Sequence, residues 1–298
     1  MSGPTYEKIS VTSKDGTKIG IRKLGQGPGV VLEHGGALGS QHYMKLATAL
    51  ADQFTVYLPD RRGRGMSGPY GPDYCIERED EDLAAVIAAT GAENVFGSAD
   101  GGMFALHASM SLPSIRKVAL FEPVVFVGQP GLDEFKATIS RGQRLVDSGD
   151  VAGAMASLAK DASDGDPRAQ AMAAPLRLLG KIMTQPAICR VLLWADAKRV
   201  TGDDAALRDL IVAWKEELNV VMATEGHLDD FKNVTADVLL LIGLGAPPLF
   251  TGTLDALQTV LPRATRVELP GLNHGGPQDQ GGNPPVIAEQ LRRFFSQA

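Results

Sequence analysis

The chain reads as an α/β protein. A mostly parallel sheet is covered by helices on both faces, and a helical segment is inserted between two strands. Three observations predict this. Short apolar runs closed by Gly, Pro or Asp alternate with helical patterns over residues 30–121 and again over 238–296. Two alternating segments precede the first apolar run and read as a hairpin. Between the two strand-rich stretches, over residues 126–232, strand signals fade and a period near 3.6 takes over.

The elements follow in order. Segments 6–12 and 18–24 alternate apolar and polar residues around a Lys14-Asp15-Gly16 turn, the pattern of a β-hairpin. Val30-Val31-Leu32 is a buried strand that runs into the glycine loop His34-Gly35-Gly36. Residues 42–51 are helical, and 54–58 form a strand ending at Pro59-Asp60. The loop Arg61-Arg62-Gly63-Arg64-Gly65-Met66-Ser67-Gly68 comes next. Residues 77–90 form a helix that opens with acids, as the macrodipole prefers, and Gly91 stops it. Strand 94–97, helix 101–111 stopped by Pro113, and strand 115–121 ending at Glu122-Pro123 complete the first half. The inserted segment reads as helices over 132–148, 151–160, 168–179, 187–196 and 203–222. The sheet pattern resumes with strand 238–242, helix 254–261 and strand 265–269. The loop Gly271-Leu272-Asn273-His274 and helix 285–296 close the chain. The expected division is a core of residues 1–125 and 233–298 with a helical cap over 126–232.

Composition bounds the function. Hydrophobic residues at 44% and charged residues at 21% are ordinary globular values, and 298 residues bury a large core without staples. This excludes a disordered chain, a collagen and a disulfide scaffold. The net charge is −6, and only Arg61, Arg62 and Arg64 cluster, so nucleic acid is not an expected partner. Cys75 and Cys189 lack metal-ligand spacing, and a reducing compartment is the simplest reading. Residues 1–10 carry no signal-peptide pattern, and no apolar run reaches the roughly 18 residues of a membrane span. A soluble, cytoplasmic protein with no membrane partner is expected. A homo-oligomer stays open.

The stretch that carries chemistry is Val95-Phe96-Gly97-Ser98-Ala99-Asp100-Gly101-Gly102. A strand enters a tight turn and leaves as a helix, so the residue at the apex sits at strained φ/ψ. Crowding there requires small residues two before and two after it. Gly97 and Gly101 bracket Ala99 in this way, and Gly102 lets the helix approach the sheet. Ser98 at the apex would place Phe96 and Asp100 at the small positions. Asp100 at the apex would have Ser98 and Gly102, which sterics permit.

With these residues the chain resembles the α/β-hydrolases over essentially its full length. The shared features are the His34-Gly35-Gly36 loop, the turn Asp60 to Ser67, the elbow, the inserted cap and the late His274. The resemblance implies a nucleophile at the apex, normally Ser and sometimes Asp or Cys. Here that position is Ala99, and a methyl group cannot attack a carbonyl. Three explanations stand. The preferred one is an inactivating replacement of serine by alanine, of the kind that traps a substrate, because the rest of the site is kept. The second is a natural non-hydrolytic member that binds a ligand or works through other groups. The third shifts the register and makes Asp100 the nucleophile of an epoxide hydrolase or dehalogenase.

The resemblance also assigns partners. His274, in a glycine-flanked loop after a strand, falls where the general base belongs. The loop after strand 238–242, Gly243-Leu244-Gly245-Ala246-Pro247-Pro248, has no carboxylate. Glu122, after the preceding strand, is the expected acid, because a carboxylate there needs a partner. Its placement is similar to that in the zearalenone lactone hydrolases; Arg116 or Arg61 would be its partner if it were merely structural. The oxyanion hole falls to the amides of Asp100 and Gly36, with Ala37 as the alternative to Gly36. Phe126 and Trp194 are expected to line the substrate pocket. The arginine loop reads as structural, as do His34, His42, His107 and His227. The implied activity is hydrolysis of a small-molecule carboxylic ester or lactone, with no metal and no organic cofactor.

Overall fold

A computed structural model describes residues 5–297, so the first four residues of the segment read for a leader lie outside it. Eight strands form one sheet: β1 (Glu7–Thr12), β2 (Lys18–Leu24), β3 (Gly29–Glu33), β4 (Thr55–Pro59), β5 (Asn94–Ser98), β6 (Lys117–Phe121), β7 (Asp237–Gly243) and β8 (Ala264–Leu269). Their order across the sheet is β1-β2-β4-β3-β5-β6-β7-β8. β1 and β2 pair antiparallel as a hairpin, β2 joins β4 antiparallel, and the remaining pairings are parallel.

Side chains alternate across this sheet, and both faces are covered. On β7, Leu239 and Leu241 point into one core while Val238, Leu240 and Ile242 point into the other. The first core is closed by α1 (Met44–Leu50) and α11 (Pro284–Phe295), through Leu46, Leu50, Leu291 and Phe295. The second is closed by α2 (Ile76–Thr90), α3 (Asp100–Ser109) and α10 (Pro248–Val260), through Val86, Met103, Leu106 and Leu254. Burying each such side chain contributes about 1.5–3 kcal/mol, which makes the sheet a rigid base for loops at its carboxyl edge.

Six α-helices lie between β6 and β7: α4 (Leu132–Asp147), α5 (Val151–Gly165), α6 (Pro167–Gln170), α7 (Ala174–Met183), α8 (Pro186–Arg199) and α9 (Leu207–Ala223). Three elements differ from the periodicity. The helix expected over 168–179 is broken into α6 and α7, because Pro175 sits in the first turn of α7 and cannot donate into a continuous helix. The helix expected from residue 203 begins at Leu207. Asp203 instead accepts from Tyr6 and Lys8, and Asp204 pairs with Arg22, tying the cap to the hairpin. The helix expected over 254–261 starts earlier, at Pro248, a residue suited to a first turn. Among the described residues no helix is long and apolar enough to cross a membrane.

Candidate active site

The strained residue of the elbow is Ala99, at φ 50° and ψ −121°. Backbone bonds hold it there, Met103 N–H to its carbonyl at 3.3 Å among them. Its N–H donates to Phe121 O at 3.1 Å, and its carbonyl accepts from Gly102 at 3.0 Å and Val124 at 3.1 Å. Close packing imposes the small residues around it. A Cβ on Gly97 would fall 2.5 Å from Gly101 O, and one on Gly101 would fall 2.3 Å from His34 O. Asp100 lies one residue past the apex, as the first residue of α3.

The glycine loop lies directly over this turn: a Cβ on Gly35 would meet the Ala99 Cβ at 3.3 Å. His34 orders the loop from beneath. Its Nε2 accepts from the Arg61 amide at 3.2 Å, so the proton is on Nδ1, which donates to Gly35 O at 2.9 Å. Burial and the nearby Arg61 and Arg64 hold the His34 pKa well below the ordinary histidine value, so the ring is neutral. Among the described residues, the amides of Gly36, Ala37 and Asp100 have no acceptor within the protein. They are the donors an oxyanion would require.

Glu122 and His274 meet across the carboxyl edge of the sheet. His274 Nδ1 lies 2.8 Å from Glu122 Oε2, which leaves Nε2 free for proton transfer. The imidazole stacks on Phe250 at 4.5 Å between ring centroids. Glu122 is fully buried and sits at φ 42°. Its Oε1 accepts from the Gly243 amide at 3.0 Å and from Arg168 Nη1 at 3.2 Å. Burial alone would raise its pKa; the His274 contact, the Arg168 charge and the Gly243 amide together hold it below the usual carboxylate value.

Asp100 presents its carboxylate to the cap. Trp214 of α9 donates from Nε1 to Asp100 Oδ2 at 2.6 Å. A Cβ on Gly36 would fall 2.0 Å from the same nitrogen, so loop, elbow and cap converge on one point. Burial raises the Asp100 pKa, while Arg61 and the indole pull it down by less. One turn along α9, the fully buried Glu217 accepts from Arg61 at 2.8 Å and also pairs with Arg64. Arg62 makes a two-pronged contact with Asp82 at 2.7 and 2.6 Å. The arginine loop therefore joins α2, the sheet edge and the cap.

The structure thus brings together Ala99, Asp100, Gly36, Glu122 and His274. Of the two expected pocket residues, one is largely exposed and the other wholly buried. Trp194 is 65% exposed on α8, on the face opposite Cys189 and Leu193, which point into the cap. Phe126 has no exposed area and packs edge-on against Phe135, so it has no face to offer a ligand. Three residues that local pattern did not single out stand at the site: Arg168, Trp214 and Phe250. For Trp214 a signal existed, since Leu210, Glu217, Leu218 and Val221 put it on the inward face of α9.

The comparisons place the chain in a family. The profile of the Alpha/beta hydrolase family matches residues 30–289, and the chain belongs to that family. An α/β hydrolase from Sphaerobacter thermophilus is 27% identical, with a TM-score of 0.68 over 97% of this chain and 100% of that one. A thermophilic esterase from Thermogutta terrifontis shares the fold at 18% identity, with a TM-score of 0.66 over 97% of this chain and 98% of that one. The pimeloyl-[acyl-carrier protein] methyl ester esterase of Stenotrophomonas maltophilia is 40% identical over 100 residues. That match spans 34% of this chain and only 38% of the relative's length.

Proposed function

We propose that this is the site of a carboxylic ester or lactone hydrolase of the Ser-His-Glu type, in which alanine stands where the attacking serine belongs. The observation that carries the reading is the Glu122–His274 pair, kept beside a strained elbow with Ala99 at its apex. With a hydroxyl at position 99, His274 takes its proton as the oxygen attacks the carbonyl. Glu122 fixes the tautomer and stabilises the imidazolium. The amides of Asp100 and Gly36 hold the oxyanion, the alcohol leaves with the proton from His274, and water then releases the acyl group. The esterase among the curated relatives supports an ester as substrate. The position of Glu122, similar to that in lactone hydrolases, supports a lactone.

With Ala99, the carbonyl is bound but not attacked by the protein. His274 can activate only water, and turnover is slow. Asp100 has no attacking role in this reading, because Trp214 holds one of its oxygens and it lies beyond the apex. The test is Ala99→Ser, assayed on aryl esters and lactones and treated with a fluorophosphonate probe. The expected result is covalent labelling and a rise in turnover of about a thousandfold or more. A variant that takes no label and hydrolyses nothing overturns the proposal.

A further inference from the structure

The cap carries a face that its own core leaves uncovered. No residue of α7 is buried. Leu176, Leu178, Leu179, Ile182 and Met183 are 41–60% exposed. At 100° per residue they occupy one arc of about 160°, and Arg177 and Lys181 lie on the opposite, polar side of the helix. The neighbouring α8 adds Val191 and Trp194, a turn apart and 60% and 65% exposed. Of the ten large hydrophobic side chains exposed on the described chain, eight fall within residues 172–194. Single exposed apolar residues are ordinary, but such a concentration marks an interaction surface.

Charge says what kind. Residues 172–199 contain Arg177, Lys181, Arg190, Lys198 and Arg199 against one acid, Asp196. That segment is net +4 on a chain whose total is −6. All five basic residues are exposed, and none is in an ion pair among the described residues. Asp196 is occupied, accepting from the Leu207 amide at 2.6 Å.

We propose that the α7–α8 face of the cap lies on an anionic phospholipid surface. The apolar arc enters the boundary between headgroups and acyl chains. Arg177 and Lys181 form the basic polar face opposite that arc, where the anionic surface potential attracts them, and Trp194 sits at the interface. A second copy of the chain fits less well, because a two-fold contact would set this basic patch against itself. Lying on a bilayer needs no spanning helix, so the face is compatible with the absence of one among the described residues.

The experiment is co-sedimentation of the full chain with vesicles of phosphatidylcholine, with and without phosphatidylglycerol. The expected result is binding to the mixed vesicles more than about tenfold tighter than to phosphatidylcholine alone, weakened by salt. Tryptophan emission shifts to the blue on binding, and Trp194→Phe removes that shift. Lys181→Gln weakens binding about fivefold, and Leu179→Glu with Ile182→Glu abolishes it while the melting curve is kept. No sedimentation with the mixed vesicles, or sedimentation unchanged by the two glutamates, overturns the proposal. So does a dimer in sedimentation velocity that the same glutamates dissociate, which would assign the face to a second copy.

Discussion

Arg168 of the cap lies 3.2 Å from Glu122 at the end of β6, and the same nitrogen donates to Leu272 O at 2.9 Å. Leu272 belongs to the loop that carries His274. One guanidinium thus spans the buried acid, the histidine loop and the helical insertion. Gly243 leaves the room for it, since a Cβ there would fall 2.5 Å from Arg168 Nη1. In the Ala99→Ser background, Arg168→Ala is expected to lower kcat about 10- to 100-fold with KM changed less than about threefold. Arg168→Lys restores part of the loss. Steady-state kinetics decide, and an unchanged kcat removes the positioning role.

Glu122 supplies the second prediction. Its carboxylate is ionised and aimed at Nδ1, so Glu122→Gln in the Ala99→Ser background leaves the packing in place but reverses the polarity of that contact. A loss of about 10²–10⁴ in kcat is expected. A rate near that of the serine parent would send the search for the acid elsewhere.

Trp214 is the only donor to the buried Asp100 carboxylate among the described side chains. Trp214→Phe should destabilise the protein by about 1–3 kcal/mol in urea unfolding. The indole lowers the Asp100 pKa, so it stabilises the ionised form. The loss is therefore larger at high pH than at low pH, where Asp100 is protonated in both proteins. An equal loss at both ends would mean that the ring acts only through packing.

Glu33 ends β3 inside the core, where burial pushes its pKa up to about 8 despite the nearby Arg61 charge. Unfolding restores the ordinary value of 4.5. Between these two values the folded state holds a proton that the unfolded state has lost, so stability falls as pH rises, by at most about 1.4 kcal/mol per pH unit. Glu33→Gln should flatten this slope and make the protein relatively more stable at pH 8 than at pH 5. Urea melts at the two pH values measure it, and parallel curves for both proteins would refute it.

The sheet was legible because short apolar runs alternate with helical patterns, and the central strands are buried on both faces. The elbow was legible for a steric reason: so tight a turn needs small residues on both sides, and Gly97 and Gly101 supply them around Ala99, although Ser98 and Gly102 kept Asp100 as a second possible apex. Glu122 and His274, which the resemblance pairs and which both follow strands, do meet in the fold. What was missed depends on distance along the chain. Arg168 is 46 residues from Glu122, and Trp214 is 114 residues from Asp100. No local pattern records such meetings. The choice of Trp194 over Trp214 was different in kind, since the burial period of α8 and α9 separates them.

The elbow has one more consequence. An alanine held at positive φ costs on the order of 1–3 kcal/mol, and enzymes bear such a cost in order to aim a side chain. Ala99 has no functional group to aim, yet Phe121, Gly102 and Val124 hold its backbone in the same posture. The posture is thus a property of the surrounding scaffold rather than of the residue. On the proposed function, the position lacks a single oxygen atom, and the backbone is already bent to receive it.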